Sequence, residues 1–327
     1  MNSNAVWPSR PKGTSLCGIV TPMVTPLAGK DKLDAAGLER LIEHILGGGV
    51  AGVFILGTTG EGPSLSHRLR CELIDRTCRQ VASRVPVLVG ITDPSLTEAA
   101  NLATYAADAG AQAVVVSSPY YFPVGQTELL SFIRPLVRTL SLPLYLYNMP
   151  ILTKTCFAVE TVRKLAQLEG IVGLKDSSGE LDYFRQVVEI AKERPDWRLF
   201  VGPEHLLVEA VMAGAHGGFN GGSQIEPALF VELYKTVCRG EHSRAMVLQQ
   251  RLLQLGQIYR LDRNGPPGAI RGIKCALALL GICKEKMAAP LSPCGQKLRK
   301  QVRKVLEAMS LLPSLVKSDE STSPCII

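Results

Sequence analysis

A lysine stands where a short apolar run stops. In IVGLKDSSGE (171–180), Ile171, Val172 and Leu174 read as a strand, Ser177, Ser178 and Gly179 read as the turn that ends it, and Lys175 sits on the junction. An ammonium group at the mouth of an apolar core is partly desolvated, which lowers its pKa and frees the amine as a nucleophile. Such an amine condenses with a ketone or 2-oxo acid to a Schiff base. The protonated imine is an electron sink, so a neighbouring carbon–carbon bond can break or form through an enamine. That chemistry needs a proton shuttle, for which Tyr147 in YNMP (147–150), with hydroxyl partners, is a candidate. It also needs a carboxylate cradle. GTTGEG (57–62) offers Thr58, Thr59 and the backbone N–H groups of a turn expected to open the next helix.

Each residue taken alone also has a plain structural reading. A strand-end lysine can lay its stem along apolar surface and keep its ammonium in water. Tyr147 fits a core aromatic whose hydroxyl reaches solvent, and GTTGE fits a tight turn with a helix cap.

The elements that would have to bring these groups together recur along the chain. Apolar runs rich in Val, Ile and Leu appear as CGIVTPMV from 17, VAGVFILG from 50, VPVLVG from 85 and AQAVVVSSP from 111. LPLYLYNMP from 142, IVGLKD from 171, WRLFVG from 197 and the weaker AHGGFNGG from 215 complete a set of eight. They are continuous rather than alternating, as strands buried on both faces are. Stretches with apolar residues at three- and four-residue steps separate them, several opening on Ser, Thr or Asp. This alternation predicts an α/β chain folded as a (β/α)8 barrel, whose chemistry collects at the C-terminal strand ends. Those ends are GTTGEG, SSPYYF, YNMP and LKDSS. A doubly wound open sheet is the rival, but the first strand runs into TPMVTPLAGKD, without a Gly-rich phosphate loop. The expected organisation is an N-terminal extension over 1–16, a barrel over 17–240, a helical extension over 241–315 and a disordered tail over 316–327.

Composition narrows the class. No apolar run reaches the roughly 18 residues of a membrane span. The N-terminal stretch lacks the pattern of a secretory or transit signal, so a cytoplasmic location is the expectation. Nine cysteines lack a C-x-x-C pair, and five histidines lack metal-ligand spacing, so neither a disulfide framework nor a metal or other cofactor is expected. The net charge of +7 is densest in QKLRKQVRK, whose basic residues interleave with Leu298 and Val302 as on a solvated helix face. Without an aromatic platform, this argues against nucleic-acid binding.

In combination the motifs resemble the dihydrodipicolinate synthase and N-acetylneuraminate lyase family of class I aldolases. GTTGE matches its G-[TS]-T-G-E, YNMP its Y-N-x-P and GLKDSSG its G-x-K-x-[AST]-[ST]-G, in the family's order and spacing. The resemblance runs from about Gly18 into the C-terminal helices. It implies Lys175 as the Schiff-base lysine and Tyr147 as proton shuttle. Thr58, Thr59 and Gly60 would bind the substrate carboxylate, with Thr59 relaying protons to Tyr147. Tyr121 would be lent across a dimer interface into the neighbouring site, and the backbone of Phe219 would line the pocket behind the lysine. The family is commonly a homotetramer acting on a small 2-oxo acid, without metal.

Departures from the pattern bear on substrate. The synthase branch carries Arg two residues after the YNxP proline, to hold the carboxylate of aspartate semialdehyde, and Leu152 stands here. A guanidinium that binds a carboxylate bidentately has no aliphatic substitute. The neuraminate lyase branch resembles this chain in having Leu. That branch usually reads GSTGE, however, and follows the seventh strand with an Asp-Glu pair, where this chain has Glu204 and His205. Lys154 replaces a common Gly and is a second candidate for the missing charge. His67 and Tyr120 match the family's site for feedback by lysine, whereas Arg70 and Pro94 do not. The leading expectation is a Schiff-base lyase or aldolase using pyruvate, resembling N-acetylneuraminate lyase or a 2-keto-3-deoxy sugar acid aldolase. The alternatives are 4-hydroxy-tetrahydrodipicolinate synthase of lysine biosynthesis, and a catalytically silent binding or assembly protein on the same barrel.

Overall fold

The computed structural model describes residues 16–262 and 265–313. Strand β1 (Gly18–Pro22) leads into a two-stranded antiparallel hairpin, β2 (Leu27–Gly29) and β3 (Lys32–Leu33), and then helix α1 (Ala35–Gly47). The hairpin lies within what reads in sequence as the loop after the first strand. Its strands are three and two residues long, too short to show a periodicity of their own.

Strands and helices then alternate: β4 (Gly52–Ile55), α2 (His67–Val81), β5 (Val87–Gly90), α3 (Leu96–Asp108), β6 (Ala113–Ser117) and α4 (Gln126–Thr139). The order continues through β7 (Leu144–Asn148), the single turn α5 (Pro150–Thr153), α6 (Val159–Ala166), β8 (Ile171–Asp176) and α7 (Leu181–Glu193). It ends with β9 (Arg198–Val201), α8 (Leu207–Ala213), β10 (Gly217–Gly218) and α9 (Pro227–Cys238). Side-chain caps set several helix starts. Asp34 accepts from the Gly37 N–H, Ser66 from Leu69 and Ser95 from Glu98, each satisfying a donor that the first turn leaves unpaired.

Eight parallel strands close in the order β1-β10-β9-β8-β7-β6-β5-β4, with β4 returning to β1. The expected (β/α)8 barrel is the observed architecture. Closure depends on glycine. Gly18 and Gly217 pair across the β1–β10 seam with φ of 110° and 151°, and a Cβ on Gly217 would run into the Gly18 backbone.

Apolar burial falls into two layers. Val20, Phe54, Leu88, Val115, Tyr147 and Phe200 are among the side chains filling the barrel interior, while a larger shell lies between strands and helices. Beyond α9, α10 (His242–Leu255) packs on α9, and α11 (Pro266–Leu279) packs on α12 (Gln296–Ala308). Most of the N-terminal extension (1–15) and the tail over 316–327 lie outside the described residues. No helix among the described residues is long and apolar enough to cross a membrane.

Candidate active site

Parallel register brings the lysine and the tyrosine together. Residues 28 positions apart in sequence, Tyr147 on β7 and Lys175 on β8 are direct cross-strand partners, followed by Asn148 with Asp176. In-register neighbours on parallel strands point to the same face, and both side chains point into the barrel.

Lys175 is only 4% exposed. Its Nζ lies 3.9 Å from the Tyr147 ring centroid, 5.1 Å from that of Phe54 and 5.4 Å from that of Phe219. Burial pushes its pKa below the ordinary lysine value, and the Tyr147 hydroxyl opposes that shift in part. The aromatic cage is itself packed edge to face, Phe54 on Phe219 at 5.6 Å and Phe200 on Phe219 at 5.0 Å. Phe219 therefore presents its ring to the amine, where the family resemblance gives its backbone.

Asn148 and Asp176, one residue beyond the pair, fix the strand ends beneath it. Asn148 Nδ2 donates to Asp176 Oδ1 at 2.8 Å, and Asn148 Oδ1 accepts from the Phe157 N–H at 3.1 Å. Ser178 adds two hydrogen bonds to Asp176, from its N–H at 3.2 Å and its hydroxyl at 2.9 Å. Burial nonetheless raises the Asp176 pKa.

The Thr58 and Tyr147 hydroxyls share a 3.2 Å hydrogen bond. This corrects the expectation for the relay: the hydroxyl that reaches Tyr147 is that of Thr58, while Thr59 lines the adjoining cleft. The anion-cradle argument also changes. GTTGE does not open a long helix; a three-residue 3-10 turn, Gly62–Ser64, follows it, and α2 starts only at His67, capped by Ser66. A turn that short has no helix dipole of consequence, so any anion binding here rests on the turn's own N–H groups and threonine hydroxyls. Gly60 is buried in that turn, and its carbonyl accepts from Thr25 Oγ1 at 2.6 Å.

Leu152, in α5, lines a cavity of about 70 Å3 together with Thr58, Thr92, Ser117, Tyr147 and Met149. Lys154 is exposed, in the left-handed conformation (φ 63°) that ends α5, and does not line that cavity. Tyr121 is 69% exposed and stacks edge-on against the equally exposed Phe122, with ring centroids 4.8 Å apart. It is not brought to Tyr147 within the chain. Arg70 pairs with Asp93 at 3.6 Å, and neighbouring Tyr120 is half-buried.

Glu204 carries more than its sequence position conveyed. A wide cleft of about 1190 Å3 is lined by Thr59, Gly221, Glu204, Tyr259 and Ile273 among others. Glu204 Oε1 accepts from the Gly222 N–H and from Tyr259 Oη, the latter at 3.2 Å, while Oε2 is buried without a hydrogen-bond partner. Burial pushes its pKa up to about 7 against those two donors. The Tyr259 partner, about 55 residues downstream, left no signal in sequence. Farther from the strand ends, Cys275, Glu285 and Cys294 bring ligand-type atoms within 4.8 Å of one another, with Glu285 already paired to Arg299. Cysteine spacing did not show that grouping either.

An amine whose charged form is disfavoured by burial, set against a phenol at the end of a barrel's strands, is the arrangement that class I, Schiff-base-forming lyase chemistry requires. Comparison with known proteins narrows this further. The model of the dihydrodipicolinate synthetase family matches residues 15–309. The chain is 32% identical, over 91% of its length and 99% of the relative's, to a 4-hydroxy-tetrahydrodipicolinate synthase of Gluconacetobacter diazotrophicus. It is 31% identical, over 90% of its length and 98% of the relative's, to an Escherichia coli K12 protein named as a probable 2-dehydro-3-deoxy-D-pentonate aldolase. Among solved structures, dihydrodipicolinate synthase from Bacteroides thetaiotaomicron superposes with a TM-score of 0.86 at 46% identity, covering 90% of this chain and 98% of that one. A prophage protein of the same family from Escherichia coli K12, solved with pyruvate, gives a TM-score of 0.85 at 28% identity, over 90% and 99% of the two chains. The chain belongs to the dihydrodipicolinate synthetase family and is a Schiff-base pyruvate aldolase, a lyase.

Proposed function

We propose that the aldehyde partner of pyruvate is a hydroxylated fragment, so that the enzyme makes or cleaves a 2-keto-3-deoxy sugar acid or a sialic-acid-like substrate rather than condensing aspartate semialdehyde. The observation that carries this reading is Leu152, an aliphatic side chain against the Thr58–Tyr147 pair, with Lys154 exposed outside that cavity. Glu204 supports it, because it lines the same cleft as Thr59, and a carboxyl is suited to a hydroxyl group, which both donates and accepts. The pentonate-aldolase relative lends further weight.

In this reading Lys175 attacks C2 of the 2-oxo acid and the carbonyl oxygen leaves as water, giving the imine. Tyr147 moves the protons, hydrogen-bonded to Thr58. Thr58, Thr59 and Gly60 receive the carboxylate. Tyr121 completes a neighbouring site in a homotetramer, which the exposure of Tyr121 and Phe122 supports, and the protein works in the cytoplasm. The second reading, a 4-hydroxy-tetrahydrodipicolinate synthase, is favoured by the names of several relatives and by Thr58 in the synthase-like GTTGE.

Two measurements test the proposal. Pyruvate with borohydride is expected to add a reduced pyruvyl group at Lys175, read by intact mass and absent from Lys175→Ala; an adduct elsewhere would overturn the assignment of the lysine. Cleavage of 2-keto-3-deoxy sugar acids and of N-acetylneuraminate is then compared with condensation of pyruvate and aspartate semialdehyde. Condensation well above every cleavage rate would return the enzyme to the synthase reading.

A further inference from the structure

Glu61, the last residue of GTTGE, and Lys274, on α11 outside the barrel, form an ion pair in which both side chains are 0% exposed. The mechanism above uses neither. Their remaining polar capacity goes to one segment downstream of α11: Lys274 Nζ donates to the Lys286 carbonyl at 2.6 Å, and Glu61 Oε2 accepts from the Ala288 N–H at 2.7 Å. On the barrel side, the Glu61 N–H donates to the Thr58 carbonyl at 3.0 Å, closing the turn that presents both threonines. Two non-glycine residues in the left-handed region bracket that turn, Leu56 at φ 59° and Glu61 at φ 56°. Backbone in such a conformation persists where its surroundings over-determine it.

We propose that the Lys274–Glu61 pair is a positioning device for the Thr58–Thr59 turn, contributed by the C-terminal helices, and that it sets how tightly the site holds the pyruvate carboxylate. Helix-to-barrel adhesion alone does not call for an ion pair. A fully buried pair gains little net stability over apolar side chains of similar volume, because desolvation of both charges cancels most of their attraction. What apolar side chains lack is direction. A carboxylate anchored at one oxygen by an ammonium and at the other by a backbone N–H holds Glu61, and through it the Thr58 carbonyl, in one orientation. Ile273, the residue before Lys274, lines the cleft beside Thr59 and Glu204, so the same helix turn that carries the ammonium also meets the site.

The inference rests on the Schiff-base chemistry but not on the identity of the aldehyde, and its test needs pyruvate alone. The readout is the pyruvate concentration giving half-maximal borohydride trapping at Lys175, measured by intact mass beside a thermal melt. The double variant Glu61→Gln/Lys274→Met removes both charges and leaves no unpaired buried ion. It is expected to melt near the unaltered protein, to trap fully at saturating pyruvate, and to need about tenfold more pyruvate for half-trapping, as loss of orientation in a carboxylate-binding turn implies. A purely structural pair predicts a pyruvate requirement equal to that of the unaltered protein once the melt is preserved, and that result overturns the proposal. Should the double variant fail to fold, Glu61→Asp decides. It keeps both charges, but its shorter side chain does not span Lys274 and the Ala288 N–H together. A rise of similar size is expected, and an unchanged requirement overturns the proposal. Absence of any adduct in the unaltered protein is a different result, a failure of the Schiff-base assignment itself.

Discussion

Replacing Glu204 with Gln should make the folded protein lose a pH dependence that the native chain carries. Burial lifts the Glu204 carboxyl from an ordinary 4.5 to about 7, against hydrogen bonds from the Gly222 N–H and Tyr259 Oη. At roughly 1.4 kcal/mol per pH unit, that difference corresponds to about 3 kcal/mol. Because the folded-state value lies above the unfolded one, the folded state holds the proton more tightly. The contribution is therefore whole below about pH 4.5 and is lost as pH rises through about 7. Gln mimics the protonated acid: its carbonyl can accept from Gly222 and Tyr259, and its NH2 occupies the position of the unpartnered Oε2. The assay is denaturant unfolding of both proteins from about pH 4 to about pH 9, read as the difference in stability at each pH. All other titrating groups are common to the two proteins and cancel to first order. Tyr259 itself stays neutral, since burial beside Glu204 raises its pKa well above 10. The variant should gain on the native protein by about 3 kcal/mol across the neutral range. Parallel profiles, differing by less than about 1 kcal/mol in their pH dependence, would show that Glu204 is ionised and solvated in the fold, and would refute the reasoning.

Three further outcomes are expected. Tyr147→Phe should cut turnover by about 10²–10⁴ with the melt preserved, and Thr58→Val should lower turnover in the same direction by removing the hydrogen bond to Tyr147; near-native turnover in both would leave Tyr147 as packing only. Leu152→Arg should raise condensation of pyruvate with aspartate semialdehyde by about 10- to 150-fold, the value of a charge-assisted hydrogen bond of about 1.5–3 kcal/mol, while Lys154→Ala is nearly neutral. A large loss in Lys154→Ala with no gain in Leu152→Arg would mean that Lys154 supplies the charge. Asn148→Ala should destabilise the barrel by about 1–3 kcal/mol, because it leaves the buried Phe157 N–H unpaired, while both oxygens of Asp176 keep their hydrogen bonds from Ser178. An equilibrium unfolding curve overlaying that of the native protein would count against that network.

By itself the sequence determined the fold class and the place of the lysine at a strand end. Both are written locally, in continuous Val/Ile/Leu strands alternating with amphipathic helices, and in an ammonium at the end of one such strand. It also brought forward Tyr147 and the threonine turn, because their motifs lie at strand ends, where a barrel gathers its chemistry. Only the tertiary structure decided which hydroxyl meets Tyr147. Thr58 and Thr59 are adjacent in sequence, and it is the path of the folded turn, bracketed by Leu56 and Glu61 in the left-handed region, that brings the Thr58 hydroxyl to Tyr147. Likewise, the hairpin of β2 and β3 is too short to carry a periodic signal, and the late start of α2 follows from a Ser66 cap that lies past a short 3-10 turn. The partners of Glu61 and Glu204 were not legible at all. Lys274 and Tyr259 lie about 213 and 55 residues downstream, on or beside the C-terminal helices, and nothing in local composition separates them from ordinary helix residues. Burial joins each pair. A carboxylate taken out of water must find its charge or its hydrogen bonds wherever the folded chain brings them, and sequence distance does not enter that requirement.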